Sequence, residues 1–201
     1  WDVDAMIESM IMKRKGRPAF KTVPRYGSAS CISINSEVVH GVPSKKRKIK
    51  SGDLVKIDTG VVLHGYFSDA CRTFAVGKTA ESAGPLAAAA EQSLKRAISV
   101  MRPGNRIGDI GYAIQEYAEK QGYSVVRNYT GHGVGFALHE PPIVPHYGKK
   151  GTGNLLQPGM VLAIEPMINE GGSAVRILED GWTAVTADGS LSSHYEHTIA
   201  I

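Results

Sequence analysis

Hydrophobic and polar residues recur along this chain in blocks that predict strands on both sides of a pair of helices. Val3 to Met12 carries its apolar residues at helical spacing, which predicts a helix at the start of the chain. An alanine-rich segment from Glu81 to Met101 and an isoleucine-rich segment from Ile107 to Gly122 predict two more helices. Short blocks rich in β-branched and aromatic residues predict strands at 31–34, 38–39, 53–76, 124–130, 161–168, 174–187 and 195–201.

The order of these elements indicates the fold class. Strand blocks flank a helix pair instead of alternating strictly with helices, and this order predicts an α+β fold with a mostly antiparallel sheet. The chain shows no sequence repeat and no linker-like segment, so residues 1–201 are expected to form a single domain. Because the first residue is Trp1 and not methionine, we expect that the natural protein extends further at its N terminus.

The strand block 53–76 contains two aspartates and predicts a long hairpin. If His64 and Gly65 form a two-residue turn, Asp69 becomes the diagonal neighbour of Asp58 on one face, at about 7 Å between Cβ atoms. Aspartates inside such an apolar segment are unfavourable unless they are paired or bind a metal ion. The hairpin is therefore the first candidate for a functional site.

Two further carboxylates and a glycine-rich histidine motif lie in similar surroundings. Glu165 directly follows the apolar run Val161–Ile164, and Glu196 lies within the strand block 195–201. Both are at positions where strand patterning favours apolar residues. Each carboxylate alone is more often a partner in an ion pair than a metal ligand. His132 is flanked by glycines, which permit close backbone approach, and His139 follows seven residues later.

Together these residues predict a metal site rich in oxygen ligands, formed by Asp58, Asp69, His132, Glu165 and Glu196. Four carboxylates carry four negative charges, which match two divalent cations with a hydroxide between them. Paired metal ions about 3.5–4 Å apart suit hydrolysis, because both can stabilise the charge that develops on the attacked carbonyl.

Composition and charge narrow the possible settings. No apolar run reaches the length that spans a bilayer. Two cysteines, Cys31 and Cys71, are too few for a disulfide framework or a cysteine-based zinc site, so a reducing, cytoplasmic setting is expected. Much of the formal charge of +4 falls in the run from Lys45 to Lys50. We interpret this run as a solvated connection between strands, with RNA or another acidic surface as the alternative partner.

Several motifs, in this order along the chain, resemble those of type I methionine aminopeptidases. They are Cys31-Ile32-Ser33-Ile34-Asn35, Val39-His40-Gly41-Val42-Pro43, Asp58 with Asp69, Gly131-His132-Gly133 with His139-Glu140, Ile164-Glu165-Pro166-Met167 and Tyr195-Glu196-His197-Thr198. The resemblance runs from about Tyr26 to Ile201. It implies the "pita-bread" α+β fold, in which two related halves enclose a dinuclear metal site. It also implies removal of N-terminal methionine from peptides and nascent chains with a small second residue. We further expect a monomer without membrane attachment, and the ribosome surface is a candidate partner.

The resemblance implies a role for each residue of the candidate metal site. Asp58 is expected to bind one cation with both oxygens, while Asp69 and Glu196 bridge the pair. His132 and Glu165 are expected to complete the ligands of the other cation. A metal-bridging hydroxide is the implied nucleophile, Glu165 is the implied proton shuttle, and the two ions are Co, Mn, Fe or Zn.

Catalytic and substrate-binding roles follow from the same resemblance. His139 is expected to stabilise the tetrahedral intermediate, and His40 is expected to contact the substrate near its scissile amide or its amino end. The pocket for the methionine side chain is expected to be lined by Tyr26, Cys31, Trp182 and Leu138; plain core packing is the alternative for Cys31 and Trp182. The sequence departs from the usual pocket residues of the family at Leu138, Phe136, Val23 and Pro24.

Two alternative functions remain open at this point. Prolidase and aminopeptidase P share this fold and the same five ligands, but they lack the motifs at Cys31–Asn35 and His40–Pro43. A pita-bread binding module without catalysis typically loses one or more metal ligands, whereas all five are present here.

Overall fold

The computed structural model describes residues 1–201 and contains the three predicted helices, with ends shifted by one or two residues. The helices span Asp2–Lys13 (α1), Ala83–Val100 (α2) and Ile107–Lys120 (α3), and a short 3₁₀ helix spans Phe20–Thr22. Asp109 accepts a hydrogen bond from the Arg106 backbone N–H at 2.7 Å, which caps the start of α3. No helix combines the length and apolarity that crossing a bilayer requires.

Fourteen short strands account for the rest of the regular structure. In chain order they are Arg17–Pro18 (β1), Cys31–Ile34 (β2), Glu37–Val39 (β3), Leu54–Leu63 (β4), Tyr66–Ala75 (β5), Ser124–Val125 (β6), Gly131–Gly133 (β7), Glu140–Val144 (β8), Val161–Ile164 (β9), Met167–Asn169 (β10), Val175–Ile177 (β11), Ala184–Thr186 (β12), Ser192–His194 (β13) and Glu196–Ala200 (β14).

The strands form one large and two small sheets, and every pairing between named strands is antiparallel, as the sequence predicted. The eight-stranded sheet has the order β1-β4-β5-β14-β9-β7-β8, with β2 also paired to β4. The smaller sheets have the orders β13-β10-β6 and β11-β12-β3. Two of the connections that pass from one sheet to another are very short: Glu165 and Pro166 join β9 to β10, and Tyr195 joins β13 to β14.

Three predicted strand blocks are shorter or more broken than expected. The block 124–130 keeps strand structure only at Ser124–Val125. The block 161–168 is divided at Glu165-Pro166, because proline cannot donate a hydrogen bond to a sheet. The block 174–187 is a hairpin, with Gly181 in its connection at φ 75°, a conformation that glycine adopts without strain.

The main hydrophobic core lies between the helix pair and the sheets. Helices α2 and α3 pack against each other, and α2 also packs on strands β5, β10 and β13. The largest buried cluster includes Leu86 and Leu94 of α2, Ile110 and Ile114 of α3, and Leu162 of β9. Helix α2 also contacts β9 and β14, so this core packs against strands that carry or precede candidate ligands.

The interpretation of the basic run as wholly solvated is wrong for Arg47. Lys45, Lys46 and Lys48 are exposed, but the Arg47 guanidinium donates a hydrogen bond to Val42 O at 2.9 Å and forms an ion pair with Glu37. Arginine is suited to such a bridge, because its planar group presents several donors in a fixed geometry. Arg47 therefore links the basic run to strand β3, which carries Glu37.

Candidate active site and metal centre

The hairpin β4–β5 brings the first two candidate ligands onto one face. His64 and Gly65 both have positive φ values, 52° and 87°, as a two-residue turn that follows the twist of the strands requires. The predicted register is confirmed, with Leu63 opposite Tyr66 and no bulge along the pair. Asp58 and Asp69 are both buried on the inner face of this hairpin.

His132 is held in a strand that only glycines can flank. A Cβ atom on Gly131 would lie 2.3 Å from Ala163 O, and one on Gly133 would lie 2.3 Å from Pro141 O. His132 Nδ1 lies 2.8 Å from Gly133 O, and since a carbonyl oxygen only accepts, Nδ1 carries the proton. The Nε2 lone pair is therefore free, and it lies 3.5 Å from Glu165 Oε1.

The two glutamates come from strand ends in the centre of the sheet. Glu165 follows β9 directly, where the chain passes to β10, and Glu196 begins β14 opposite Cys71 of β5. Ligand atoms of Asp69, His132 and Glu196 all lie within 4.8 Å of one another. One cavity is lined by all five candidate ligands, which we call the polar floor: Asp58, Asp69, His132, Glu165 and Glu196.

Burial sets the electrostatics of the polar floor. Desolvation, together with the neighbouring carboxylates, raises the pKa values of Asp58, Glu165 and Glu196 well above their usual range. Desolvation also raises the pKa of Asp69 to about 7, and it lowers the pKa of His132 to about 4. Four carboxylates so close together cannot all be ionised without positive charge between them.

Divalent cations fit this donor set. Asp58 Oδ1 and Glu196 Oε1 are buried and have no hydrogen-bond partner in the protein, and the His132 lone pair faces a carboxylate. Buried polar atoms without partners are rare unless a ligand satisfies them. Carboxylate oxygens with one imidazole are ligands that Mn, Fe, Co and Zn ions accept.

An apolar side closes the same cavity, whose volume is about 140 Å³. We call this the apolar wall, formed by Phe20, Val23, Tyr26, Cys31, Leu138 and Trp182. Tyr26 and Trp182 meet edge to face at 5.1 Å between ring centroids. The Tyr26 hydroxyl donates to Ser30 O at 2.9 Å and contacts Cys31 Sγ at 3.1 Å, so its polar end is satisfied. All four residues expected to bind the methionine side chain thus lie together.

His40 and His139 lie at the rim of the cavity. The His139 ring is exposed and meets the His132 ring at 4.5 Å between centroids. His40 has a left-handed backbone conformation, φ 58°, and its ring packs edge to face on Tyr129 at 5.3 Å. Strained φ values of this kind cluster at functional sites. Burial lowers the pKa of His40 to about 4, and partial desolvation of the His139 ring also lowers its pKa.

Of the four departures from the family pattern, two do not touch the cavity. Val23 and Leu138 line it, whereas Pro24 and Phe136 are absent from its lining. Phe136 is 79% exposed and packs against Tyr66 on the outer surface. Only Val23 and Leu138 can therefore alter the side-chain pocket directly.

Three residues of the site region were not predicted from the sequence. Phe20 lies in the 3₁₀ helix and lines the apolar wall. Lys56 is fully buried two residues before Asp58, and its ammonium donates to Asn35 O at 2.7 Å and Ser192 O at 3.0 Å. His194 is buried behind Glu165. The only signal for Lys56 and His194 was their position two residues before a candidate ligand, which for Lys56 and Asp58 is the same face of β4.

Comparisons with known proteins agree with this arrangement. The sequence pattern of metallopeptidase family M24 matches residues 1–201. A methionine aminopeptidase from Clostridium perfringens is 48% identical over 200 residues, which cover 100% of this chain and 80% of that protein. The crystal structure of methionine aminopeptidase from Thermotoga maritima superposes with a TM-score of 0.98 at 48% identity, covering 100% of this chain and 81% of that one.

A more distant structure shares the fold. Prolidase from Pyrococcus horikoshii has a TM-score of 0.76 and 29% identity, and the match covers 100% of this chain but 50% of that one. The match over the whole chain, the α+β architecture and the cluster of acidic ligands lead to one conclusion: the chain belongs to metallopeptidase family M24.

Proposed function

We propose that this chain is a metal-dependent aminopeptidase that removes N-terminal methionine from peptides and nascent chains. The observation that carries the proposal is that one cavity joins the polar floor to the apolar wall. Its volume of about 140 Å³ is below the ~300–1,000 Å³ of pockets for drug-sized ligands, and it suits a single side chain. The free, buried thiols of Cys31 and Cys71 favour a reducing compartment, and we propose the cytoplasm.

The polar floor is the proposed binding site for two divalent cations, of Co, Mn, Fe or Zn. Asp69 and Glu196 are the proposed bridging ligands, because their ligand atoms and that of His132 all lie within 4.8 Å of one another. When bound, such cations supply the activation of a water molecule as nucleophile and the stabilisation of negative charge on the attacked carbonyl.

The residues around the floor position the substrate and move the proton. The apolar wall holds the methionine side chain, so that the scissile carbonyl faces the floor. Glu165 is the proposed proton carrier, since its carboxylate lines the cavity and burial raises its pKa. His139 donates a hydrogen bond to the carbonyl oxygen as that oxygen becomes negative, and His40 contacts the scissile amide.

Xaa-Pro peptidase activity is the competing function, since prolidases share the fold. This chain is nearly half identical to methionine aminopeptidases over its whole length, but 29% identical to the Pyrococcus horikoshii prolidase. The edge-to-face pair Tyr26–Trp182 also supports the proposal, because it forms part of the apolar surface that a methionine-specific enzyme needs for the first side chain.

A cleavage assay tests the proposal. Protein reconstituted with Co, Mn, Fe or Zn ions is given Met-Ala-Ser, Met-Trp-Ser and Xaa-Pro peptides in parallel. We expect rapid release of methionine from Met-Ala-Ser and slow release from Met-Trp-Ser. A bulky second residue would keep the scissile carbonyl away from the polar floor of this small cavity. Equal or faster cleavage of Xaa-Pro peptides, or no cleavage with any of the four ions, would contradict the proposal.

A further inference from the structure

His194 lies behind Glu165, outside the cavity itself. It is 1% exposed and ends strand β13, directly opposite Met167 of β10. Its Nε2 atom lies 3.9 Å from Glu165 Oε2 and has no hydrogen-bond partner. A buried ring nitrogen without a partner is unfavourable, so its position beside a carboxylate requires an explanation.

Two hydrogen bonds with Thr73 fix the backbone of His194. The His194 N–H donates to Thr73 Oγ1 at 3.1 Å, and the Thr73 hydroxyl donates back to His194 O at 2.7 Å. His194 comes at the point where the chain passes from β13 into β14, and Glu165 comes where it passes from β9 into β10. The two side chains thus lie beside each other where the β9–β10 and β13–β14 connections pass between the sheets.

Two histidines, His132 and His194, flank the Glu165 carboxylate, and their ring nitrogens differ in hydrogen-bonding role. His132 donates from Nδ1 to Gly133 O, so it presents a lone pair toward Oε1. His194 Nε2 lies beside Glu165 Oε2, and a carboxylate oxygen is matched by a donor. The separation of 3.9 Å exceeds a hydrogen bond, so a hydrogen bond between the two atoms requires a small shift of the Glu165 side chain.

We infer that His194 is a positioning residue whose Nε2–H donates to Glu165 Oε2 and thereby turns Oε1 toward the cation site. The inference rests on the proposed function, because it concerns the same floor. It extends that function by assigning to Glu165, the proposed proton carrier, a hydrogen-bond donor that lies outside the cavity. Partners of this kind fix the orientation and raise the basicity of a ligand, and losing one typically costs about 10–100-fold in metal affinity or activity.

Three variants separate a hydrogen-bonding role from a packing role. His194→Leu removes the donor and keeps an apolar side chain of similar bulk. His194→Gln returns an N–H near the place of Nε2. Tyr195→Phe is the matched control, because it removes a neighbouring buried hydrogen bond, from the hydroxyl to Thr73 O at 3.1 Å, without touching Glu165.

Calorimetric titration of each metal-free variant with Mn²⁺ is the first readout. We expect His194→Leu to bind Mn²⁺ about 10–100-fold more weakly, with His194→Gln and Tyr195→Phe within a few-fold of the unmodified protein. With Met-Ala-Ser, the Leu variant should lose kcat and keep its KM, and Gln should restore kcat. Unchanged Mn²⁺ affinity and kcat in His194→Leu would overturn the inference. So would a Gln variant as weak as Leu, since the ring itself would then be what matters.

A second readout needs no folded variant at position 194. In ¹⁵N-histidine NMR of the unmodified protein, metal-free and Zn²⁺-loaded, His194 should carry its proton on Nε2 and His132 on Nδ1. A proton on Nδ1 of His194 would overturn the inference. Titration and NMR involve no substrate. Failure to cut Met-Ala-Ser would therefore refute the proposed function alone, while these two measurements decide the role of His194 separately.

Discussion

The polar floor and the apolar wall enclose the same cavity, but they are built in opposite ways. Floor residues come from adjacent strands of one sheet and leave buried oxygens without partners, such as Asp58 Oδ1 and Glu196 Oε1. Wall residues come from loops and short elements, and the polar end of Tyr26 has its partner within the protein, because its hydroxyl donates to Ser30 O. The floor is therefore prepared to bind charge, while the wall is stable without a ligand.

This difference separates two kinds of mutational effect. A change in the floor should reduce chemistry and metal binding more than stability, because the floor contributes few satisfied contacts to the metal-free protein. A change in the wall should alter which side chain is accepted and leave the cations in place.

Loss of one carboxylate from the floor should nearly abolish activity. Asp69→Asn and Glu196→Gln keep the shape and remove a charge from the proposed bridging position. We expect kcat/KM to fall by about 10³-fold or more, which corresponds to about 4 kcal/mol of transition-state stabilisation. Steady-state kinetics and metal analysis check this, with the exposed Glu179→Gln as control. Full activity with two bound ions in either variant would show that the residue does not bridge.

His139 should act on the transition state and not as a ligand. A further protein ligand would crowd the open position that a hydrolytic metal needs. His139→Ala is therefore expected to keep its cations and a nearly normal KM while kcat falls about 10²–10³-fold. The exposed His197, outside the cavity, supplies the control His197→Ala. Loss of a metal ion from His139→Ala, or a raised KM alone, would assign His139 to binding instead.

The wall should govern selectivity. Trp182→Ala removes the ring that packs on Tyr26 and opens the pocket. We expect KM for Met-Ala-Ser to rise about 10-fold or more, with metal affinity unchanged and bulkier first residues accepted better. Trp1→Ala, which changes the only other tryptophan at an exposed position, should have no such effect. If Trp182→Ala instead lost its metal ions, the division between floor and wall would be wrong.

The basic run belongs to neither region and should have the smallest effect. Replacing Lys45, Lys46 and Lys48 by serine should leave turnover of Met-Ala-Ser within a few-fold. Arg47 is kept, because its loss would leave Glu37 and Val42 O without their partner. A collapse of turnover in a folded triple variant would mean that the run shapes the active site.

The sequence allowed prediction of the elements and the hairpin register, because these depend on local patterns. The turn at His64-Gly65 and the alternation along β4 and β5 fix which side chains face inward. The same alternation made Asp58 and Asp69 visible as charges on a buried face. The local sequence pattern was sufficient where a single strand pair determines which side chains lie on one face.

Contacts between distant segments could not be predicted in this way. Phe20 reaches the wall only because the 3₁₀ helix packs on β4. His194 meets Glu165 across a sheet crossing that separates them by 29 residues in the chain. Such contacts depend on the packing of sheets, which no short-range spacing encodes.

The most direct test of the central claim is anomalous X-ray scattering from crystals of the Mn²⁺-loaded protein. If the polar floor is a dinuclear centre, two anomalous peaks about 3.5–4 Å apart should lie in the cavity. Asp58, Asp69, His132, Glu165 and Glu196 should contact them, and no wall residue should. A single peak, peaks outside the floor, or a floor carboxylate that contacts neither ion would contradict the account.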